Sequence, residues 1–220
     1  MLRKLMVIIV AIFVFSFAYT EEDWQGLYAT GYWLQRDSVT KTNIAVIHAY
    51  DNQNGNLNAE VYVPLSNVDD GIIHEPIIYC EKCGKGDAYG NLYDYSSGKD
   101  KYQGLEFVWN AKKTDNGNPA KGKGPLYTDG AVLNPHDGKY YHVKARTIEY
   151  GKKIYVRAYW GFLGKSEHWQ RISADQAQKI KNLCGLTADN VYTYEDKNGK
   201  VNNKELFKEC ATRNFVKDPL

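Results

Sequence analysis

The stretch from Gly130 to Arg171 confines this chain to antiparallel β structure more tightly than any other part of it. Asn134-Pro135-His136-Asp137-Gly138 is a tight turn, in which proline presets φ and glycine takes the positive φ where a Cβ would clash. Lys139 to Tyr150 is rich in Tyr, Val, Thr and Ile, and Lys153 to Trp160 repeats the pattern after the turn Gly151-Lys152-Lys153. Such side chains suit a pleated surface, so both segments read as strands. A further strand runs to Trp169 and Arg171. Connections this short join antiparallel neighbours, because a parallel pair needs a crossover of a dozen residues or more.

The punctuation upstream extends the meander. Gly26 to Gln35 reads as the first strand. Thr42 to Asp51 is the second, with Ile44, Val46, His48 and Tyr50 on one face and Ala45, Ile47 and Ala49 on the other. Asn54-Gly55 is a strong hairpin signal, and the return strand, Asn56 to Val63, places Leu57, Ala59, Val61 and Val63 on one face. Leu65 to Lys101 is a long glycine-spotted connection, of the length that is usually functional or poorly ordered. Tyr102 to Ala111 is a strand with Leu105, Phe107 and Trp109 as a row, and Lys112 to Pro125 is a polar loop. Several short strands joined by hairpins indicate a sandwich or closed barrel. After Arg171 the character changes. Ser173 caps a helix with Gln176 in the capping-box position, Ala177, Ile180, Leu183 and Cys184 recur at helical spacing, and Gly185 ends the run. A second short helix is expected from Asn203 to Thr212. Between them, Asp196, Asn198, Gly199 and Glu205 match positions of a calcium-binding loop, but Tyr194 stands where the first carboxylate belongs, so a plain Asn-Gly turn is the better reading.

The amino terminus sets the compartment. Arg3 and Lys4 precede an apolar run from Leu5 to Phe17, and Ser16 and Ala18 sit at the −3 and −1 positions of a cleavage site. The run is about 13 residues, short of the ~20 that cross a bilayer as a helix. Residues 1–18 are therefore expected to be a signal peptide, and the mature chain to be exported, periplasmic or extracellular. In an oxidising compartment the four cysteines are expected to form disulfides before metal sites. Cys80-Glu81-Lys82-Cys83 admits a local disulfide, a redox-active dithiol or half a zinc site. The glycine-rich loop behind it lacks the helix start that lowers a thiol pKa, and no further ligands stand at zinc spacing, which favours the structural bridge. Cys184 and Cys210 are expected to pair and staple the tail.

Composition excludes some partners and names no chemistry. Net charge is +2 with Lys and Arg scattered among Asp and Glu, so no basic stripe tracks a nucleic-acid backbone. The 18 tyrosines, apolar bodies with polar tips, suit exposed sheet faces or a semi-polar cavity. There is no H-E-x-x-H, no G-x-S-x-G and no phosphate-cradling loop. His48, His74, His136, His142 and His168 are scattered without ligand spacing. No catalytic residue, metal or cofactor is assigned, and nothing argues for an enzyme.

A set of motifs nevertheless carries a resemblance. Gly31-Tyr32-Trp33 is followed by Cys80-x-x-Cys83-Gly84-x-Gly86, Gly104-Leu105, Gly130-x-x-x-Asn134-Pro135-x-x-Gly138-Lys139-x-Tyr141, Arg157-Ala158-Tyr159-x-Gly161 and Trp169-Gln170-Arg171. Together these resemble the bacterial exported domain-of-unknown-function family numbered 2147, over roughly Trp24 to Ile172. Members of that family are similar to calycins, so the resemblance implies an antiparallel up-and-down, lipocalin-like β-barrel over 24–172, with 173–220 as a helical extension. It also implies a closing pair, in which the G-x-W tryptophan, here Trp33, lies under an arginine from the last strand, here Arg171. The chain departs from the family in a longer Gly/Lys loop around Asn116 to Lys123 and in the cysteine-bearing tail, which is expected to be able to cover a barrel mouth.

Two functional readings follow. In the first, a monomeric exported barrel holds a small apolar or amphipathic molecule, with Phe107, Trp109, Tyr141, Tyr155 and Tyr159 as aromatic lining and Arg157 as anchor for an anionic head group. In the second, a filled barrel serves as an envelope interaction or structural module, meeting a protein partner through its long loop and tail. Alternation defines two faces of each strand without saying which points inward.

Overall fold

The computed structural model describes residues 26–88, 91–98, 100–186 and 202–220. The expected leader lies outside these residues, as does most of the loop from Tyr194 to Glu205. The strands are β1 (Gly31–Arg36), β2 (Asn43–Asp51), β3 (Leu57–Pro64), β4 (Asn67–Asp69), β5 (Ile72–His74), β6 (Lys85–Ala88), β7 (Asn91–Asp94), β8 (Glu106–Asp115), β9 (Leu126–Asn134), β10 (Lys139–Ile148), β11 (Lys153–Trp160) and β12 (Leu163–Ile172). Helices α1 (Ala174–Cys184) and α2 (Lys204–Thr212) follow. Eight strands close into an antiparallel barrel in the order β1-β12-β11-β10-β9-β8-β3-β2, an up-and-down meander. The β4–β5 and β6–β7 hairpins are two-stranded insertions in the connection between β3 and β8.

Period-two alternation builds the bore. On β2, Ala45, Ile47 and Ala49 face the barrel core, while Val46 joins a second cluster outside it. Across β10 and β11, Val143 stands opposite Ala158 and Ala145 opposite Val156. Small residues such as Ala49, Ala59 and Ala145 leave the bore room for the indole of Trp33, which is fully buried.

The first strand begins later than the sequence pattern suggests, at Gly31, because residues 26–30 cross one end of the barrel instead. Leu27 and Ala29 are buried there, and the Thr147 hydroxyl donates to the Leu27 carbonyl. Gly151, at φ +79°, passes against the Gly26 carbonyl so closely that a Cβ could not be placed. Trp33 Nε1 donates to the Ala29 carbonyl at 2.8 Å. Arg171 stands opposite Trp33 in the β1–β12 register, its guanidinium carbon 4.1 Å from the indole centroid. That guanidinium donates to the carbonyls of Gly151 (2.7 Å), Thr30 (2.9 Å) and Tyr28 (2.5 Å). Burial pulls its pKa down to about 10, which leaves it a cation at neutral pH. This end is sealed.

The outer wall is covered twice. Ser173 caps α1 by accepting from Gln176 N at 3.1 Å, and Asn203 caps α2 by accepting from Leu206 N. Both helices lie on the outside of β1–β3, where Ala177, Ile180, Cys184 and Cys210 meet Leu34, Val46 and Val63. Cys184 is bonded to Cys210, and Asn43 Nδ2 donates to the carbonyls of Cys210 (2.9 Å) and Arg213 (2.8 Å). In its described residues the tail therefore covers a wall, whereas the sequence reading had it able to cover a mouth. An amphipathic helix finds its apolar partner on the sheet face that Leu34 and Val46 present. The Cys80–Cys83 bridge and the β6–β7 hairpin cover β8 and β9: both cysteines are fully buried, and Tyr93 stacks on Trp109 at 5.0 Å.

Candidate functional site: a cavity at the open end of the barrel

Opposite the sealed end the bore is hollow. A cavity of about 510 Å³ opens between the β1–β2, β9–β10 and β11–β12 turns. Its apolar wall includes Ile47, Phe107, Val132, Leu133, Val156 and Trp169. Every barrel strand but β3 contributes, mostly through residues of its half nearest the mouth, with Trp169 reaching the floor from deeper on β12. Asn67, Val68 and Tyr102, from the connection between β3 and β8, complete the wall.

The polar groups centre on Glu167. Its Oε2 accepts from Gln35 Nε2 at 2.8 Å and from Trp169 Nε1 at 2.9 Å, and Lys165 Nζ lies 3.1 Å from Oε1. Burial pushes the carboxyl pKa up, but the indole bond, the Lys165 ammonium and the Gln35 amide outweigh it and hold it below the ordinary glutamate value. An ionised carboxylate thus sits in the wall with each oxygen engaged. Burial, and the Glu167 charge, push the Tyr102 phenol well up, so it faces the cavity as a neutral hydroxyl. At the lip, Arg36 donates through Nη2 to the Lys41 carbonyl, and its buried Nε has no partner. Among the described residues no three His, Cys, Asp or Glu side chains gather as a metal site.

The six residues singled out as ligand contacts divide. Phe107 and Tyr141 line the cavity, and the Tyr141 hydroxyl donates to Asp137 at 2.7 Å. Tyr159 touches it at the rim, but its ring lies beside His142 and under Lys144 on the outer face. Tyr155 and Arg157 do not line it. Their cross-strand partners on β12 are His168 and Ser166, whereas the inward residues Val156 and Ala158 face Glu167 and Lys165. The Tyr155 hydroxyl and Arg157 Nη1 both reach the exposed Ser166 hydroxyl, at 3.1 and 3.3 Å. Trp109 is not in the cavity either. The β3–β8 register shifts on both sides of Ala59, so Glu106 faces Glu60 while Val108, not Trp109, faces Ala59. That irregularity breaks the row from Leu105 to Trp109, because one extra residue reverses which side chains point inward. Trp109 lies opposite Ala131, under Tyr93.

Glu167, Gln35, Lys165 and Tyr102 escaped the sequence reading. A signal for the first and third was present: with Arg171 assigned to the barrel interior, period two places Trp169, Glu167 and Lys165 on the same face. Tyr102 enters through an irregular connection and had no such signal.

A family model described as an uncharacterized protein conserved in bacteria (DUF2147) matches residues 31–171. Among curated proteins none matches the chain. A solved structure, the lipocalin-family protein HP1028 from Helicobacter pylori, is similar at 15% identity, over 70% of this chain and 90% of that one, with a TM-score of 0.49.

Proposed function

The chain belongs to that bacterial family, DUF2147, and on this footing we propose that it binds one small amphipathic molecule in the open half of its barrel, outside the cytoplasm. The observation that carries the reading is the half-filled bore. Its sealed half is packed with side chains, while the other half holds a cavity of about 510 Å³, within the usual range of ligand pockets, with an apolar wall and few polar groups. The apolar part of the ligand would lie against Phe107, Ile47, Val156 and Trp169. Glu167 is already satisfied by three neighbours, so a head group would meet the cations of the lining, Arg36 at the lip and Lys165 through the N–H donors it does not spend on Glu167, with the Tyr102 hydroxyl beside them. An acceptor-rich or anionic head suits them, a role the sequence had suggested for Arg157. The two disulfides suit an oxidising compartment.

Titration with the neutral apolar probe N-phenyl-1-naphthylamine tests the reading. Saturable binding is expected, with displacement by long-chain fatty acid. Ala158→Trp, which puts bulk into the cavity, should weaken it by about tenfold or more. Arg36→Ala should weaken the fatty acid more than the neutral probe. A folded wild-type protein that binds neither molecule would sink the proposal.

A further inference from the structure

Exposed apolar side chains are gathered at the cavity mouth. Val39 (82% exposed), Tyr140 (47%), Trp160 (76%), Phe162 (90%) and Leu163 (67%) lie on or beside the β1–β2, β9–β10 and β11–β12 turns, all at the open end. In the barrel order these turns are borne by neighbouring strands, so the five residues form one arc of the lip. Trp160 and Leu163 are at once exposed and part of the cavity wall. The sealed end offers Tyr150, whose ring rests against Gly122.

The arc is held in shape. Asp37 accepts from Val39 N (3.0 Å), Thr40 N (2.6 Å) and the Thr40 hydroxyl (2.8 Å), which fixes the turn that carries Val39 outward. Arg157 Nη2 donates to the Phe162 carbonyl at 3.2 Å and braces the other turn. The acids on this side are all engaged: Asp37 in its turn, Asp137 by the Tyr141 hydroxyl and Lys139 N, Glu167 within the cavity. Lys41, Lys139 and Lys165 stand exposed around the arc. Across the mouth, borne by the β3–β8 connection, the β4–β5 hairpin carries the exposed acids Asp69 and Asp70 at its tip, followed by the exposed Ile72 (60%) and Ile73 (39%), a smaller apolar pair separate from the arc.

We propose that the arc of Val39, Tyr140, Trp160, Phe162 and Leu163 docks the open end of the barrel on a lipid bilayer surface, tilted so that the acidic hairpin stays clear of the headgroups. Aromatic rings with flanking lysines suit the boundary between acyl chains and headgroups, where long cationic stems reach back to water. A protein partner would be met by a contiguous patch with a closed centre. Here the apolar groups sit on separate turn tips around an opening, which a bilayer can fill from below. The docking rests on the arc alone. That a ligand then passes between membrane and cavity without crossing water rests on the pocket reading above.

Vesicle flotation of the processed chain, its amino terminus after Ala18 verified by intact mass, tests the docking. Vesicles of mixed zwitterionic and anionic phospholipid are expected to carry the wild type. Val39→Asp/Phe162→Asp, which changes no residue of the cavity wall, should lower the bound fraction by about tenfold or more while leaving N-phenyl-1-naphthylamine binding intact. Tyr150→Ser at the sealed end should float like the wild type. Wild type that stays with the buffer, or a double variant that floats equally well, overturns the docking. So does reversible self-association of the wild type that the double variant abolishes without any flotation, since the arc would then join two copies. Flotation without probe binding would keep the docking and remove the pocket; probe binding without flotation would do the reverse.

Discussion

The two ends of this barrel use the same residue types in opposite ways. At the sealed end an indole and a guanidinium satisfy each other and the backbone around them: Trp33 bonds Ala29, and Arg171 bonds three carbonyls from two segments of chain. At the open end an indole, a carboxylate, an amide and an ammonium also cluster, around Glu167, but they line a wall and leave the space beside them unfilled. The difference comes from what crosses each end. Residues 26–30 plug one, whereas the turns at the other carry their side chains outward. Packing at the first end should therefore govern stability, and chemistry at the second should govern binding.

The largest effect expected is at the plug. Trp33→Ala removes a fully buried indole and should cost about 3–5 kcal/mol in denaturant unfolding. Arg171→Ala leaves carbonyls without their donor and should cost roughly 1–3 kcal/mol. A double-mutant cycle should show coupling between the two, and additive losses would mean that the 4.1 Å stack contributes nothing. Next comes the outer wall. Cys184→Ser/Cys210→Ser opens a bridge spanning 26 positions and should cost about 2–4 kcal/mol. Probe binding should survive it, since no described residue of the tail lines the cavity; loss of binding in a folded variant would tie the tail to the open end after all.

A smaller effect is expected at Glu167. Its pKa is depressed in the folded chain, so its contribution to stability is full above the ordinary glutamate value and is lost as pH falls through the folded one. Glu167→Gln should therefore cost roughly 1 kcal/mol at neutral pH and flatten the decline of stability on acidification. Glu106 has the opposite sign: burial raises its pKa, so its ionisation costs stability as pH rises. It is unchanged in the variant and drops out of the comparison. Equal acid sensitivity in wild type and variant would show that the Glu167 network carries no net stabilisation.

Much of the fold was legible because its signals are local. The turn at Asn134–Gly138, the hairpin at Asn54-Gly55 and the Ser173 cap each act within a few residues, and the strands and helix they bound fall within a few residues of the pattern. The closing pair was legible through family resemblance. What failed was orientation. Period two states that Tyr155 and Arg157 share a face, but only the pairing of β11 with β12 shows that Val156 and Ala158 have the inner one. The register shifts around Ala59, which turn Trp109 away from the cavity, depend on contacts between β3 and β8, nearly fifty residues apart in sequence, and no local pattern records them.

The least effect is expected where the sequence pointed most directly. Arg157 had the composition of a ligand anchor, a cation among aromatic residues, yet its guanidinium reaches Ser166 and the Phe162 carbonyl on the outer face. Arg157→Ala should change stability by no more than about 1 kcal/mol, the worth of its solvent-facing hydrogen bonds to Ser166 and the Phe162 carbonyl. It should also leave the affinity for an anionic amphiphile at the wild-type value, while Arg36→Ala lowers it. If Arg157→Ala alone weakened the anionic ligand, with the neutral probe unaffected, the head group would have to lie outside the bore. The open end would then be a surface site braced by the β11–β12 turn, and the contrast between a filled half and a hollow half would lose its functional meaning.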